Sequence, residues 1–130
     1  MMKMTKNIKE IGERYDLEFI VTFGSYGTQR FTEESDIDVA FYAKREMDYA
    51  TEEALLIEII QYFRRDKIDL INLRKAPILL KKEVASNGKV LYQKQYAFVR
   101  FQSKAFKLFQ EMKPMLDRRA AEISRQIREM

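Results

Sequence analysis

From Asp36 to Phe41 the chain alternates between two kinds of side chain: Ile37, Val39 and Phe41 on one side, Asp36, Asp38 and Ala40 on the other. A period of two over Asp36 to Tyr42 predicts a β-strand with one apolar face on a core and the other face forming a site or meeting solvent. Asp36 and Asp38 then point the same way, with Cα atoms roughly 6.5–7 Å apart. Two carboxylates so placed repel each other unless a cation neutralises them.

The remaining sequence surrounds this strand with complementary elements. Met4 to Tyr15 places Met4, Ile8 and Ile11 at helical spacing, and Leu17 to Phe23 is a β-branched and aromatic run stopped by Gly24. Met47 to Arg65 has no Gly or Pro, and Leu56, Ile59, Ile60 and Phe63 recur as on one face of a long helix. Lys67 to Leu73 returns to period two, with Ile68 and Leu70 opposed to Asp69 and Ile71. Pro77 suits the first turn of a helix running to about Ser86, Gly88 its stop, and Lys89 to Tyr92 a short fourth strand. The order is βαβα-like, which predicts an α/β or α+β fold with a small mixed sheet flanked by helices.

At 130 residues, 46% of them hydrophobic, the chain fits one domain with a real core. We read residues 1–94 as that core and 95–130 as a helical extension, kinked or interrupted at Pro114, that packs on the core, a partner or both. Phe98, Phe101, Ala105, Leu108, Met112 and Met115 follow a three-four alternation there, widened by Val99, Phe106 and Phe109. So much apolar surface on so small a body suits association, with a second copy or another protein. The charge is concentrated there too, since residues 1–94 carry 16 basic and 16 acidic side chains whereas 95–130 carry 8 and 4; this is either an ordinary solvated helix face or a docking surface for an acidic partner. No ribonucleoprotein signature accompanies the basic surplus, so direct nucleic-acid binding is not expected. No apolar stretch approaches the ~20 residues of a membrane span, and a cytoplasmic location is the default expectation.

The chain has no histidine and no cysteine. Disulfides, Cys/His zinc sites, thiol nucleophiles and imidazole acid-base chemistry are thereby excluded, and any reaction must run on carboxylates, hydroxyls, amines or a bound metal. One stretch satisfies that demand: Gly24-Ser25 ends a strand, ten residues intervene, Asp36-Ile37-Asp38 opens the next, and Asp69 lies on a third. Oxygen-only ligands favour Mg²⁺, which binds one or two carboxylates together with substrate phosphates. Gly24 lets the backbone approach a phosphate, and Ser25 offers an N–H and a hydroxyl to the same anion. Two metal ions about 3.5–4 Å apart suit an in-line displacement at phosphorus, so the reaction class is nucleotidyl transfer from a nucleoside triphosphate. A lone Asp-x-Asp is more often a solvated strand face; the whole pattern is much rarer. No Walker A loop and no G-x-G-x-x-G motif is present.

These residues resemble the minimal nucleotidyltransferases of the DNA polymerase β superfamily, and in particular the MntA-like antitoxins with their GSX10DXD signature. The likeness extends through Lys67-Ile68-Asp69-Leu70 and the segment from Ala76 to Tyr92. It implies a polymerase β-like fold and a Mg²⁺-dependent adenylyltransferase. That enzyme would move AMP from ATP onto a tyrosine of a cognate HepT-like toxin, a HEPN-type ribonuclease, in a type VII toxin-antitoxin pair. On that likeness Asp36 and Asp38 hold the metals, Asp69 completes the metal site and helps deprotonate the acceptor hydroxyl, and Gly24 and Ser25 hold the triphosphate. Arg30, charged and on the same loop, is a further candidate for stabilising the departing pyrophosphate. One departure stands out: many relatives carry a glycine five positions after the first glycine of the motif, where this chain has Gln29 and an earlier Gly27.

Two other readings fit the same residues. One is transfer to a small-molecule hydroxyl, such as that of an aminoglycoside, although 36 terminal residues leave little for an acceptor-binding domain. The other is a non-catalytic antitoxin acting by contact alone, for which nothing would require mutually repelling carboxylates.

Overall fold

A computed structural model describes residues 7–130 of the chain. Its elements follow in the order α1 (Ile8–Arg14), β1 (Phe19–Phe23), β2 (Ile37–Tyr42), α2 (Tyr49–Phe63), β3 (Ile68–Asn72), α3 (Ile78–Asn87), β4 (Lys89–Gln93) and α4 (Ala97–Arg128). The expected α+β architecture is borne out. Met4, placed in the first helix from its spacing, lies outside the described residues.

The four strands form one sheet in the order β3-β2-β1-β4. β1 runs antiparallel to β2 and to β4, and β2 runs parallel to β3. The parallel pair requires a crossover, which α2 supplies. Its N-cap Asp48 accepts a hydrogen bond from the Thr51 N–H at 2.8 Å, and Arg64 closes its far end in the left-handed conformation at φ 57°. Leu55 and Ile59 are the buried residues of α2, so its inward face is centred one position before the Leu56 read from spacing.

β1 reads Phe-Ile-Val-Thr-Phe and is buried at every position, as a central strand covered on both faces must be. On one face Ile20, Ile37, Val39 and Phe41 pack with Ile11 of α1 and with Leu55 and Ile59 of α2. On the other, Phe19, Val21, Phe23 and Ala40 pack with Val84 of α3 and with Ala97 and Phe98 of α4. The expectation of one core face and one open face therefore needs correction. Ala40 is fully buried under the second helical layer, because its small side chain lets α3 and α4 approach the sheet. At one end of that face Asp36 is exposed and Asp38 half-buried.

Gly88 ends α3 at φ −67°, so it is not a left-handed cap. A Cβ there would come within 2.8 Å of the Phe98 ring, and its absence lets α4 close onto β1. Phe98 and Phe101 meet Phe19 edge-on at 5.0 and 5.2 Å between ring centroids. α4 then continues as one helix through Pro114, with no interruption.

Candidate active site

The register of the sheet assembles the acidic groups. Asp38 lies opposite Phe23 of β1 and opposite Asp69 of β3. Partners on neighbouring strands sit about 4.8 Å apart and project to the same face, so Asp38 and Asp69 stand side by side. Asp36 occupies the position just before β2 and is exposed, whereas Asp38 is half-buried. The carboxyl of Asp38 is pushed above the usual carboxylate range, first by burial and then by the charges of Asp69, Asp36 and Glu83. Every charge that acts on it is negative.

Glu83 escaped the sequence reading. It is exposed on α3, and only the packing of that helix over the sheet turns it toward Asp38. No periodic or motif signal marks it.

The Gly24-Ser25 turn flanks the acidic row. Gly24 adopts φ +76°, and a Cβ there would lie 2.2 Å from Oδ2 of Asp38. Glycine is required twice over, for the backbone conformation and for the space the aspartate fills. Thr28 donates its N–H to the Ser25 carbonyl at 3.0 Å and its hydroxyl to the same oxygen at 2.6 Å. Gly27, at φ +82°, supplies the second left-handed residue of this turn. The departure at Gln29 thus has a local explanation, since this loop turns at Gly27.

The rest of the ten-residue loop is fastened from below. Tyr26 packs edge-on against Phe31 at 5.2 Å and against Phe63 of α2 at 5.6 Å. Arg65 places its guanidinium 4.9 Å from the centre of the Phe31 ring and donates through Nη2 to the Glu33 and Ser35 carbonyls at 2.9 and 2.8 Å. A planar donor that stacks and forks in this way fixes the entry of the chain into β2, a positioning role that the sequence reading missed. Glu34 pairs with Lys67 at 3.3 Å, pointing away from the acidic row. Arg30 is exposed on the loop and is not among the charges that act on Asp38.

Among the described residues, no three acidic side chains are drawn close enough to enclose a metal ion by themselves. The donor chemistry nevertheless fits a hard divalent cation: carboxylate oxygens alone, side by side on neighbouring strands, with their mutual repulsion expressed in Asp38.

A Gly-Ser turn packed against aspartates on two adjacent strands is the arrangement of a nucleotidyl-transferring protein. The family model described as "Polymerase beta, Nucleotidyltransferase" matches residues 6–97, and the chain belongs to that family. No curated protein sequence matches the chain. Among solved structures, a toxin-antitoxin with AMP-PNP superposes with a TM-score of 0.77 at 24% identity, covering 91% of this chain and 96% of that one. A tri-AMPylated Shewanella oneidensis HEPN toxin in complex with MNT antitoxin gives 0.72 at 24% identity, covering 90% and 92%. A mutant of the toxin-antitoxin MntA-HepT gives 0.71 at 25% identity, covering 90% and 95%. No helix among the described residues is long and apolar enough to cross a membrane.

Proposed function

We propose that this chain is a Mg²⁺-dependent adenylyltransferase that moves AMP from ATP to a tyrosine of a HEPN-type ribonuclease toxin and so silences it. The observation that carries the reading is the row across the sheet end, with Asp69 beside Asp38 and Asp38 against Gly24. It supports Asp36, Asp38 and Asp69 as the metal-holding set and the turn of Gly24 and Ser25 as the triphosphate cradle. Divalent cations bound there would neutralise the carboxylates and the phosphates together and favour the ionised acceptor oxygen.

The chain's own groups supply the remaining requirements. Gly24 lets the Asp38 carboxylate lie directly against the turn, and the Ser25 N–H and hydroxyl are donors for the phosphates. Asp69 is exposed beside Asp38, which supports it as the group that takes the acceptor's proton. The acceptor oxygen bonds to the α-phosphorus, the bond from that phosphorus to the bridging oxygen breaks, and pyrophosphate departs with the electron pair. With no histidine in the chain, the proton has only carboxylates or solvent to receive it.

The protein acceptor is supported by α4. Its inward stripe buries Phe98 and Ala105 and then continues outward with Met115 at 47%, Ile123 at 51% and Ile127 at 63% exposure. Thirty-two residues make a helix of about 48 Å, far longer than the sheet it packs on. Val99 and Phe106 are exposed as well, at 53% and 38%. An arm with a bare apolar stripe and a basic surplus suits a protein partner better than a small molecule.

The test is to incubate the full chain with ATP labelled at the α-phosphate, Mg²⁺ and a HEPN toxin encoded beside it. Label on a toxin tyrosine, lost with Asp38→Asn, is the expected result. Absence of label, or equal label with the variant, overturns the reading.

A further inference from the structure

The Gly24 to Thr28 turn has oppositely charged groups on its two flanks. On the β2 side Asp38 fills the space above Gly24; on the β4 side a Cβ built on Gly27 would lie 3.3 Å from Nζ of Lys89. Lys89 opens β4 and is paired with Thr22 of β1, two residues before Gly24. Along the sheet end the backbone positions follow in the order Asp69, Asp38, the turn and Lys89; Asp38 projects with Phe23 and Lys89 with Thr22, so the two side chains leave opposite faces of the sheet and flank the turn from either side. Among the described residues Lys89 has no ion-pair partner, a state it shares with other lysines such as Lys44 and Lys104; what sets it apart is its place beside the turn.

We infer that Lys89 is the cation that holds the β- and γ-phosphates of the triphosphate and neutralises the pyrophosphate as it leaves. This deepens the transfer reading above and rests on it. A triphosphate lying along the turn with its α-phosphorus toward Asp38 and Asp69 extends its terminal phosphates toward β4. As the bond to the α-phosphorus breaks, negative charge gathers on the leaving end, where an ammonium is worth most. The assignment sets a second candidate cation beside Arg30, one whose head group lies next to the turn.

The test compares the unaltered chain with Lys89→Met and Lys89→Arg, using equilibrium binding of inorganic pyrophosphate, ATP and AMP in the presence of Mg²⁺. An exposed residue at a strand end should leave the thermal midpoint unchanged in both variants. Lys89→Met should weaken pyrophosphate and ATP binding about 10-fold or more, the worth of one charge-assisted hydrogen bond, and leave AMP binding unchanged. Lys89→Arg should restore most of the loss. Failure of the unaltered chain to bind pyrophosphate, or equal binding by Lys89→Met, overturns the role of Lys89. If the unaltered chain transfers AMP while Lys89→Met binds pyrophosphate normally, the transfer reading stands and only this assignment falls. Absence of transfer by the unaltered chain would instead remove the reading beneath it.

Discussion

Gly24 and Asp38 are packed so tightly that the space between their backbones admits one side chain, and that side chain is the aspartate's. The turn and the acidic strand are therefore one mechanical unit. A change in either displaces the other.

Gly24→Ala should accordingly damage fold and function together. The new methyl group meets Oδ2 of Asp38, and φ +76° is strained for alanine. We expect a loss of about 1–3 kcal/mol in urea unfolding, and a fall of about 100-fold in AMP transfer from displacement of the Asp38 carboxylate. Unchanged transfer with an unchanged unfolding midpoint would contradict the observed contact.

Asp38→Asn should separate the two properties. The neutral amide fills the same volume and removes the repulsion from Asp69, Asp36 and Glu83. Without metal, the thermal midpoint of the variant should equal or exceed that of the unaltered chain, while Mg²⁺-dependent transfer disappears. A lower midpoint would mean that the carboxylate contributes to folding rather than opposing it.

The contact between α1 and α2 should give way in alkali. Tyr15 donates its hydroxyl to Glu58 at 2.6 Å, and Arg14 pairs with the same carboxylate. Burial and then the bond to Glu58 raise the Tyr15 phenol to about 12 from its ordinary 10.0. A phenol raised in the folded state contributes stability that is complete below pH 10 and is lost as pH climbs toward 12. Thermal midpoints measured from pH 9 to 12 should fall more steeply for the unaltered chain than for Tyr15→Phe.

The outer part of α4 should matter to association and not to folding. Met115→Glu and Ile123→Glu replace side chains that are 47% and 51% exposed, so each should shift unfolding by less than about 0.5 kcal/mol. The same changes should abolish co-purification with the toxin while ATP binding persists. Retained co-purification would place the partner elsewhere.

How much of this was legible beforehand depends on the kind of signal. The alternation of Ile37, Val39 and Phe41 with acidic neighbours fixed β2 locally, and a like pattern around Asp69 fixed β3. Their meeting in register followed once a helix joined them in parallel. Ala40 was misread because alternation along one strand says nothing about whether a second layer covers the other face. Glu83 was invisible for a related reason: which side of α3 faces the sheet is decided by Val84 and Phe98 across a tertiary contact. Arg30 drew notice through proximity in sequence, while Lys89, 59 positions later, reaches the turn through strand pairing. Pro114 suggested a break that the structure does not make, since a single missing N–H is tolerated where the helix is exposed and long.

That proline lies beyond Ala105, the last fully buried residue of its helix, and before the bare stretch begins. The chain thus keeps the residues that hold it together apart from those that greet another molecule. Substitutions beyond position 114 can retune recognition without endangering the catalytic sheet. On the proposed reading, drift along a few helical turns would change the choice of partner while the sheet stays as it is.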